Sequence, residues 1–257
     1  DKVPIGSIIH TVPQKPYKKL EEAINDCWNR HARKRGYNAP KAPTFILEAY
    51  KVVDRNKEAV GTIMQDIKET ANKTDTSKET ETKTEALNAK IKEMKITKEE
   101  QETLIAYTKS KMFTNYGTRK EDKVHDIYKE LTGETIHLDN KMHVKQIEDF
   151  EIGGKIDGQL DDGTVIEIKN RTRCLFNEVR QYENVQIQTY MQMLNQEKAH
   201  LVECYVNNEG KKLVNILYVD RDDDFWNDTV VPRLKRAKEI MDDMFETKKL
   251  PLIKTNE

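Results

Sequence analysis

Cysteine is scarce in this 257-residue sequence: there are three, Cys27, Cys174 and Cys204, with no C-x-x-C pair. An odd, scattered set argues against a disulfide framework and a zinc site, and suits a reducing compartment. No apolar run approaches the length that spans a bilayer, and the N-terminus lacks the apolar core of a signal peptide. No internal repeat is evident. Nor does either charge prevail, since 44 Lys and Arg stand against 45 Asp and Glu, a formal net charge of −1. A polyanionic partner would have to be met by a local basic patch, because the molecule as a whole has no attracting field. The chain reads as soluble and intracellular, in cytoplasm or nucleus, with no membrane partner.

Charge of both signs is abundant, at 35% of residues against 36% hydrophobic. The apolar share suffices for a core, and the charged excess belongs on solvated helix faces or in loosely ordered segments. The length suits one sizeable domain, or a domain with a helical extension.

Residues 1–67 read as a helical N-terminal region. Leu20, Ala23, Ile24, Cys27 and Trp28 have the spacing of one buried helical stripe. The basic end that follows, from Arg30 through His31 to Arg35, with Trp28 and Tyr37 nearby, suits either a strand contact by charge and stacking or a solvated helix terminus. Pro40 and Pro43 break the chain, and Thr44 is placed to cap a helix through Ile46, Leu47, Tyr50 and Val53. Residues 68–98, with the run KETANKTDTSKETETKTEA, read as a charged linker or partly disordered segment, with a solvated helix followed by a linker as the alternative.

Residues 99–257 change in character. Thr97 with Glu100 resembles a capping box opening a helix from Glu99 to Met112, and a second helix is expected from Gly117 to Leu131, stopping at Gly133. Strands are expected over 135–138, 143–150, 154–160 and 164–170. A helix over 176–195, strands over 199–206 and 212–219, and an amphipathic helix over 222–245 follow. Asp222 and its acidic neighbours lack the pattern of a calcium loop and suit a helix start. Met191 and Met193 suit packing. The order predicts an α/β sandwich around a mixed sheet.

The informative stretch is GGKIDGQLDDGTVIEIKN. Asp161-Asp162-Gly163 signals a tight turn between two alternating runs. A three-residue loop sets Asp157 opposite Glu167 and puts Glu167, Lys169 and Asp157 on one face, with Ile156, Leu160, Ile166 and Ile168 on the other. A two-residue Asp162-Gly163 loop would shift that pairing by one. Two carboxylates at cross-strand distance repel unless a cation sits between them, and hard oxygen ligands suit Mg²⁺ or Mn²⁺. Such an ion acidifies a bound water and stabilises charge on a phosphoryl oxygen. The neighbouring lysine can position or deprotonate that water, or balance the charge. The same residues also suit a surface hairpin with a weak cross-strand ion network.

Three blocks, in order, resemble the PD-(D/E)xK nucleases, specifically the lambda-exonuclease or YqaJ-type (RecB-like) viral recombination nucleases. YGTRKEDKVHDIYKELTG resembles the family's first helix. GGKIDGQLDDGTVIEIKN resembles its Asp-Gly strand, turn and Glu-x-Lys strand. ENVQIQTYMQML resembles its Gln-bearing helix and the Gln-x-x-x-Tyr motif. The resemblance implies a restriction-endonuclease-like core, with a mixed central sheet flanked by helices. It also implies a metal-dependent deoxyribonuclease degrading DNA from double-stranded ends, for recombination or genome processing in a viral setting.

On the same basis, Asp157, Glu167 and Glu121 are expected as catalytic carboxylates and ligands, the Ile168 carbonyl as a further ligand, and Lys169 as the catalytic lysine. Two Mg²⁺ or Mn²⁺ ions are implied per site. Gln186, Tyr190, Gln188, Arg171 and Arg173 are expected toward DNA. A homo-oligomer or a single-strand annealing partner fits the family. Asp122 stands where the family often has Pro, and is an alternative ligand to Glu121. His125 reads as a solvated or core histidine, and Asn170-Arg171 replaces the usual Cys-Pro. The alternatives are an endonuclease of the same superfamily, acting on DNA or on RNA as in cap-snatching, and an inactive nucleic-acid-binding module.

Overall fold

A computed structural model describes residues 2–4, 20–32, 35–36, 44–74, 76–119, 122–207 and 209–250. A short strand β1 (Lys2–Pro4) precedes α1 (Leu20–His31), α2 (Phe45–Arg55), a single turn α3 (Lys57–Val60) and α4 (Ile63–Asn72). Next come α5 (Ser77–Lys92), α6 (Lys98–Arg119) and α7 (Asp122–Thr132). Strands β2 (His137–Leu138), β3 (His143–Ile147), β4 (Phe150–Gly154), β5 (Gly158–Gln159) and β6 (Val165–Arg171) follow. Helix α8 (Gln181–Leu194) leads to β7 (Lys198–Val206) and β8 (Lys212–Asp220). One α turn, a π turn at Trp226–Val230 and α9 (Val231–Thr247) close the described chain. Among the described residues no helix is long and apolar enough to cross a membrane.

The architecture is the expected α/β one. Five strands form a mixed sheet in the order β2-β5-β6-β7-β8, and β1-β4-β3 form a second sheet. Strands β6 and β7 run parallel, joined by the α8 crossover, while β5–β6 and β7–β8 are antiparallel. One face of β6 packs Ile166 and Ile168 against Val124 and Tyr128 of α7. The other packs Val165 with Val185 and Ile187 of α8, in a core that also takes Trp28 of α1 and Met241 and Met244 of α9. Both faces of β6 are thus covered, so any polar side chain on it must find partners inside the protein.

Several elements depart from the sequence reading, each for a local reason. Residues 77–92, expected in a charged linker or partly disordered segment, form a helix. Thr76 caps it by accepting from Glu79 N at 3.1 Å, and the Thr80 and Thr84 hydroxyls donate to backbone carbonyls one turn back at 2.8 and 2.6 Å. With their hydroxyls satisfied, Thr80 and Thr84 bury almost completely and extend the stripe of Leu87 and Ile91. This stripe faces Leu104, Tyr107 and Met112 of α6. The capping box at Thr97 and Glu100 forms reciprocally, at 3.0 and 3.2 Å. Helix α6 then runs on through Gly117, because Met112 and Tyr116 keep burying on its inner face. Helix α7 ends where expected, with Gly133 at φ +77° and its N–H on Lys129 O. The strand expected over 143–150 is a hairpin, turning at Glu148 (φ 48°) with Ile147 opposite Phe150.

Candidate active site

The DDG turn sets the register of the site. Leu160 N donates to Thr164 O and Gly163 N to Leu160 O, both at 3.0 Å, while Gly163 takes φ +88°. Asp162 fastens the loop by accepting from Thr164 N at 2.8 Å. This is a three-residue loop closed by a left-handed glycine. It pairs Gly158 with Ile166 and Gln159 with Val165. The backbone ladder stops at Gly158, and the Asp157 side chain takes over: its Oδ2 accepts from Ile168 N at 2.7 Å. A Cβ at Gly158 would lie 2.8 Å from His137 O and 2.5 Å from Ile136 Cγ2, so the Asp-Gly step lets β2 approach β5. Ile156, expected beside Leu160, Ile166 and Ile168, belongs to the opposite core, because the chain leaves the ladder before it.

Glu167 is 3% exposed. Lys169 Nζ donates to its Oε1 at 2.5 Å and to Gln186 Oε1 at 3.1 Å. Gln186 Nε2 in turn donates to Tyr190 OH at 3.1 Å. Residues two apart on β6 and four apart on α8 share a face, which brings all four side chains into one line. Burial pushes the Glu167 carboxyl up to about 7, partly opposed by Lys169 and reinforced by the negative charge of Asp157. For Lys169, burial acts to lower the pKa, but the attraction of Glu167 prevails and the direction is up, so the side chain is held as an ammonium. Burial also raises the Tyr190 phenol, which stays a neutral hydroxyl.

A buried carboxylate displaced this far upward, with a lysine already on it and a second carboxylate adjacent, is short of positive charge. Asp157 and Glu167 offer hard oxygens, and the two suit Mg²⁺ or Mn²⁺, which keep several waters and need few protein ligands. Among the described residues no group of three or more His, Cys, Asp or Glu is placed to hold a metal. Further ligands would be water, the expected Ile168 carbonyl, or Glu121. Glu121 lies outside the described residues, as do the side chain of Asp122 and Arg33, Lys34 and Tyr37 of the basic cluster. His125 is half-buried on α7, with Nε2 lacking a hydrogen-bond partner among the described residues.

Three residues expected toward DNA are buried inside the protein: Tyr190, whose hydroxyl meets Gln186, and Gln188 and Arg171. Gln188, 2% exposed, donates to Asp220 O at 2.9 Å and accepts from Asp222 N at 2.8 Å, tying α8 to the end of β8. Arg171 belongs to β6, not to an exposed turn after it, and alternation points it to the same buried face as Glu167 and Lys169. Its Nη1 donates to Glu183 Oε1 at 2.5 Å and its Nε to Glu203 Oε1 at 2.8 Å, with the guanidinium 4.0 Å from the centre of the Phe176 ring. Arg173 does reach the surface, where it is 83% exposed and 3.3 Å from Glu81 of α5.

Glu183 and Glu203 were not anticipated. Glu203 also accepts from Phe176 N at 3.1 Å and Asn177 N at 2.9 Å, and so fixes the loop that leaves β6. A lone glutamate within the apolar run HLVECYV is the signal that such a partner exists. Replacing Arg171 by Met leaves two buried carboxylates facing each other without their cation. The expected cost is about 3–5 kcal/mol of stability, read from urea unfolding. An unchanged midpoint would show that the three charges do not support the fold.

No protein-family model matches the chain, and no curated protein matches it. Solved structures similar to it include an alkaline exonuclease from Laribacter hongkongensis, at 17% identity and a TM-score of 0.42, covering 60% of this chain and 88% of that one. The same exonuclease in complex with dAMP matches at 15% identity and a TM-score of 0.41, over 69% and 94% of the two chains. A phage related exonuclease from Haemophilus somnus matches at 14% identity and a TM-score of 0.41, over 53% and 74%. At such identities the chemistry has to be read from this chain's own residues.

Proposed function

We propose that the protein is a metal-dependent nuclease that hydrolyses phosphodiester bonds of DNA from an end. The observation that carries the reading is the line of contacts from Glu167 through Lys169 and Gln186 to Tyr190, with Asp157 held beside it by the Ile168 N–H. Asp157 and Glu167 would hold Mg²⁺ or Mn²⁺, which supplies an acidified water and neutralises charge on a phosphoryl oxygen.

The chain's own groups do the rest. Among the described residues, Lys169 spends two of its three N–H donors on Glu167 and Gln186. The third is available to a phosphoryl oxygen as negative charge builds there. Gln186 holds the ammonium in place, and Tyr190 orients the Gln186 amide from a site too apolar for the phenol to ionise. Hydrolysis joins a water oxygen to phosphorus and breaks the bond to the leaving sugar oxygen, which takes up a proton. An ammonium held beside two carboxylates suits stabilising that charge better than removing a proton. What supports action at an end is the Gln186 and Tyr190 pair on α8, which resembles the Gln-x-x-x-Tyr motif of end-directed nucleases and meets Lys169 through Gln186.

With Mg²⁺ present, linear duplex DNA should be degraded progressively while covalently closed circles survive. Circles cut as fast as linear duplex would replace this reading with an endonuclease, and cleavage of RNA alone would point to the cap-snatching comparison.

A further inference from the structure

Beside the catalytic line lies a second cleft that the proposed chemistry does not use. A cavity of about 530 Å³ opens over the carboxyl end of β6, between that strand and α6, lined by Lys109, Phe113, Asn170, Arg173, Phe176 and Tyr182 among others. It continues into a groove against α5 that shares Lys109, Phe113 and Arg173 and adds Glu81 and Tyr205. Its distance from the site follows from the elements. Arg171, on its wall, is two residues past Lys169, about 6.6 Å along a strand. Tyr182 is four residues before Gln186, about 6 Å along α8.

The lining is specific in chemistry. Lys109 is exposed and has no hydrogen bond or ion pair among the described residues. Among the described residues, Arg173 is held only by one long contact to Glu81, at 3.3 Å. Phe113 lines the same cleft and groove as these two cations and is half-buried. Two displaceable cations and a ring lining one cleft can take a phosphate and a stacked base, which is how single strands are held without sequence preference. A protein of net charge −1 must meet a polyanion at such a local patch.

We propose that this cleft is a single-strand subsite: Lys109 and Arg173 take a backbone phosphate and Phe113 stacks the attached base, one nucleotide away from the bond that is cut. The proposal rests on the nuclease reading above. It assigns Glu81 an opposing role. The Glu81 carboxylate occupies Arg173 and repels the incoming phosphate, so a strand must displace it.

The test is fluorescence anisotropy of a labelled short oligothymidylate, in EDTA so that nothing is cut. Lys109→Ala and Phe113→Leu should each weaken binding about tenfold. Glu81→Gln should tighten it severalfold, which loss of a merely structural contact would not do. Lys235→Ala, which removes a lysine paired with Glu148, should bind as the parent protein does. Unchanged binding by Lys109→Ala and Phe113→Leu, weaker binding by Glu81→Gln, or an equal loss in Lys235→Ala would each overturn the subsite. The two readings fail separately. This binding pattern in a protein that cuts no nucleic acid keeps the subsite and removes the nuclease, and metal-dependent cleavage with indifferent variants does the reverse.

Discussion

Glu167→Gln should lower cleavage of linear duplex by on the order of a thousandfold or more, because a cation's contribution of several kcal/mol to the barrier depends on its ligands. The substitution is nearly isosteric and keeps an acceptor for Lys169, so the hairpin has no steric reason to move. What it removes is the charge. Asp157→Asn should have a comparable effect with less structural consequence, since an Asn oxygen can still accept from Ile168 N–H at the 2.7 Å position.

The metal role can be read directly by calorimetry with Mn²⁺. Without a cation the Glu167 carboxyl sits at about 7, above its ordinary value of 4.5, so it is largely protonated at pH 6 and largely ionised at pH 8. A cation needs the ionised form. Mn²⁺ binding should therefore release close to one proton at pH 6 and little at pH 8, seen as a heat that varies with the buffer only at the lower pH. Full activity of either variant with Mg²⁺ restored, or a proton release equal at both pH values, would sink the assignment of Asp157 and Glu167 as ligands.

The hairpin was legible because turn chemistry and strand alternation are local rules. Asp161-Asp162-Gly163 allowed two loops, and the three-residue one forms because Gly163 alone can take the left-handed conformation while Asp162 caps Thr164. The same local rules placed Gln186 and Tyr190 on one face of α8, but they could not say what lay opposite. It is Lys169, brought there by the crossover that lays α8 on β6.

Other features escaped for identifiable reasons. Helix α5 was hidden because Thr80 and Thr84 count as polar in any pattern, yet bury like valines once their hydroxyls bond the preceding turn. Arg171 was misplaced because the strand was ended one residue early. Carried one residue further, alternation puts it beside Glu167 and Lys169 and facing inward, where it needs anions. Those anions, Glu183 and Glu203, come from α8 and β7, and no spacing within one element could have joined them.

Lys169→Ala should lower the turnover rate by about a hundredfold to ten-thousandfold, the range of a positioned proton donor or charge partner, while changing the affinity for DNA by no more than about twofold. The asymmetry follows from burial. Glu167 and Gln186 already hold the ammonium, and its side chain is only 24% exposed, so a strand lying over the surface gains little from it. Removing it also strips a buried carboxylate of its cation, which raises the Glu167 carboxyl further and demands more metal. Cleavage must therefore be compared at saturating Mg²⁺, and binding in EDTA. Gln186→Ala tests the same geometry from the other side: the ammonium keeps its charge but loses one of its two partners, so the rate should fall by less. The competing idea is that Lys169 only grips a phosphate. In that case cleavage and binding fall together, and the dependence of log affinity on log salt becomes shallower by about one unit. A parallel loss of that kind would remove Lys169 from the chemistry, and the catalytic line through Gln186 and Tyr190 with it.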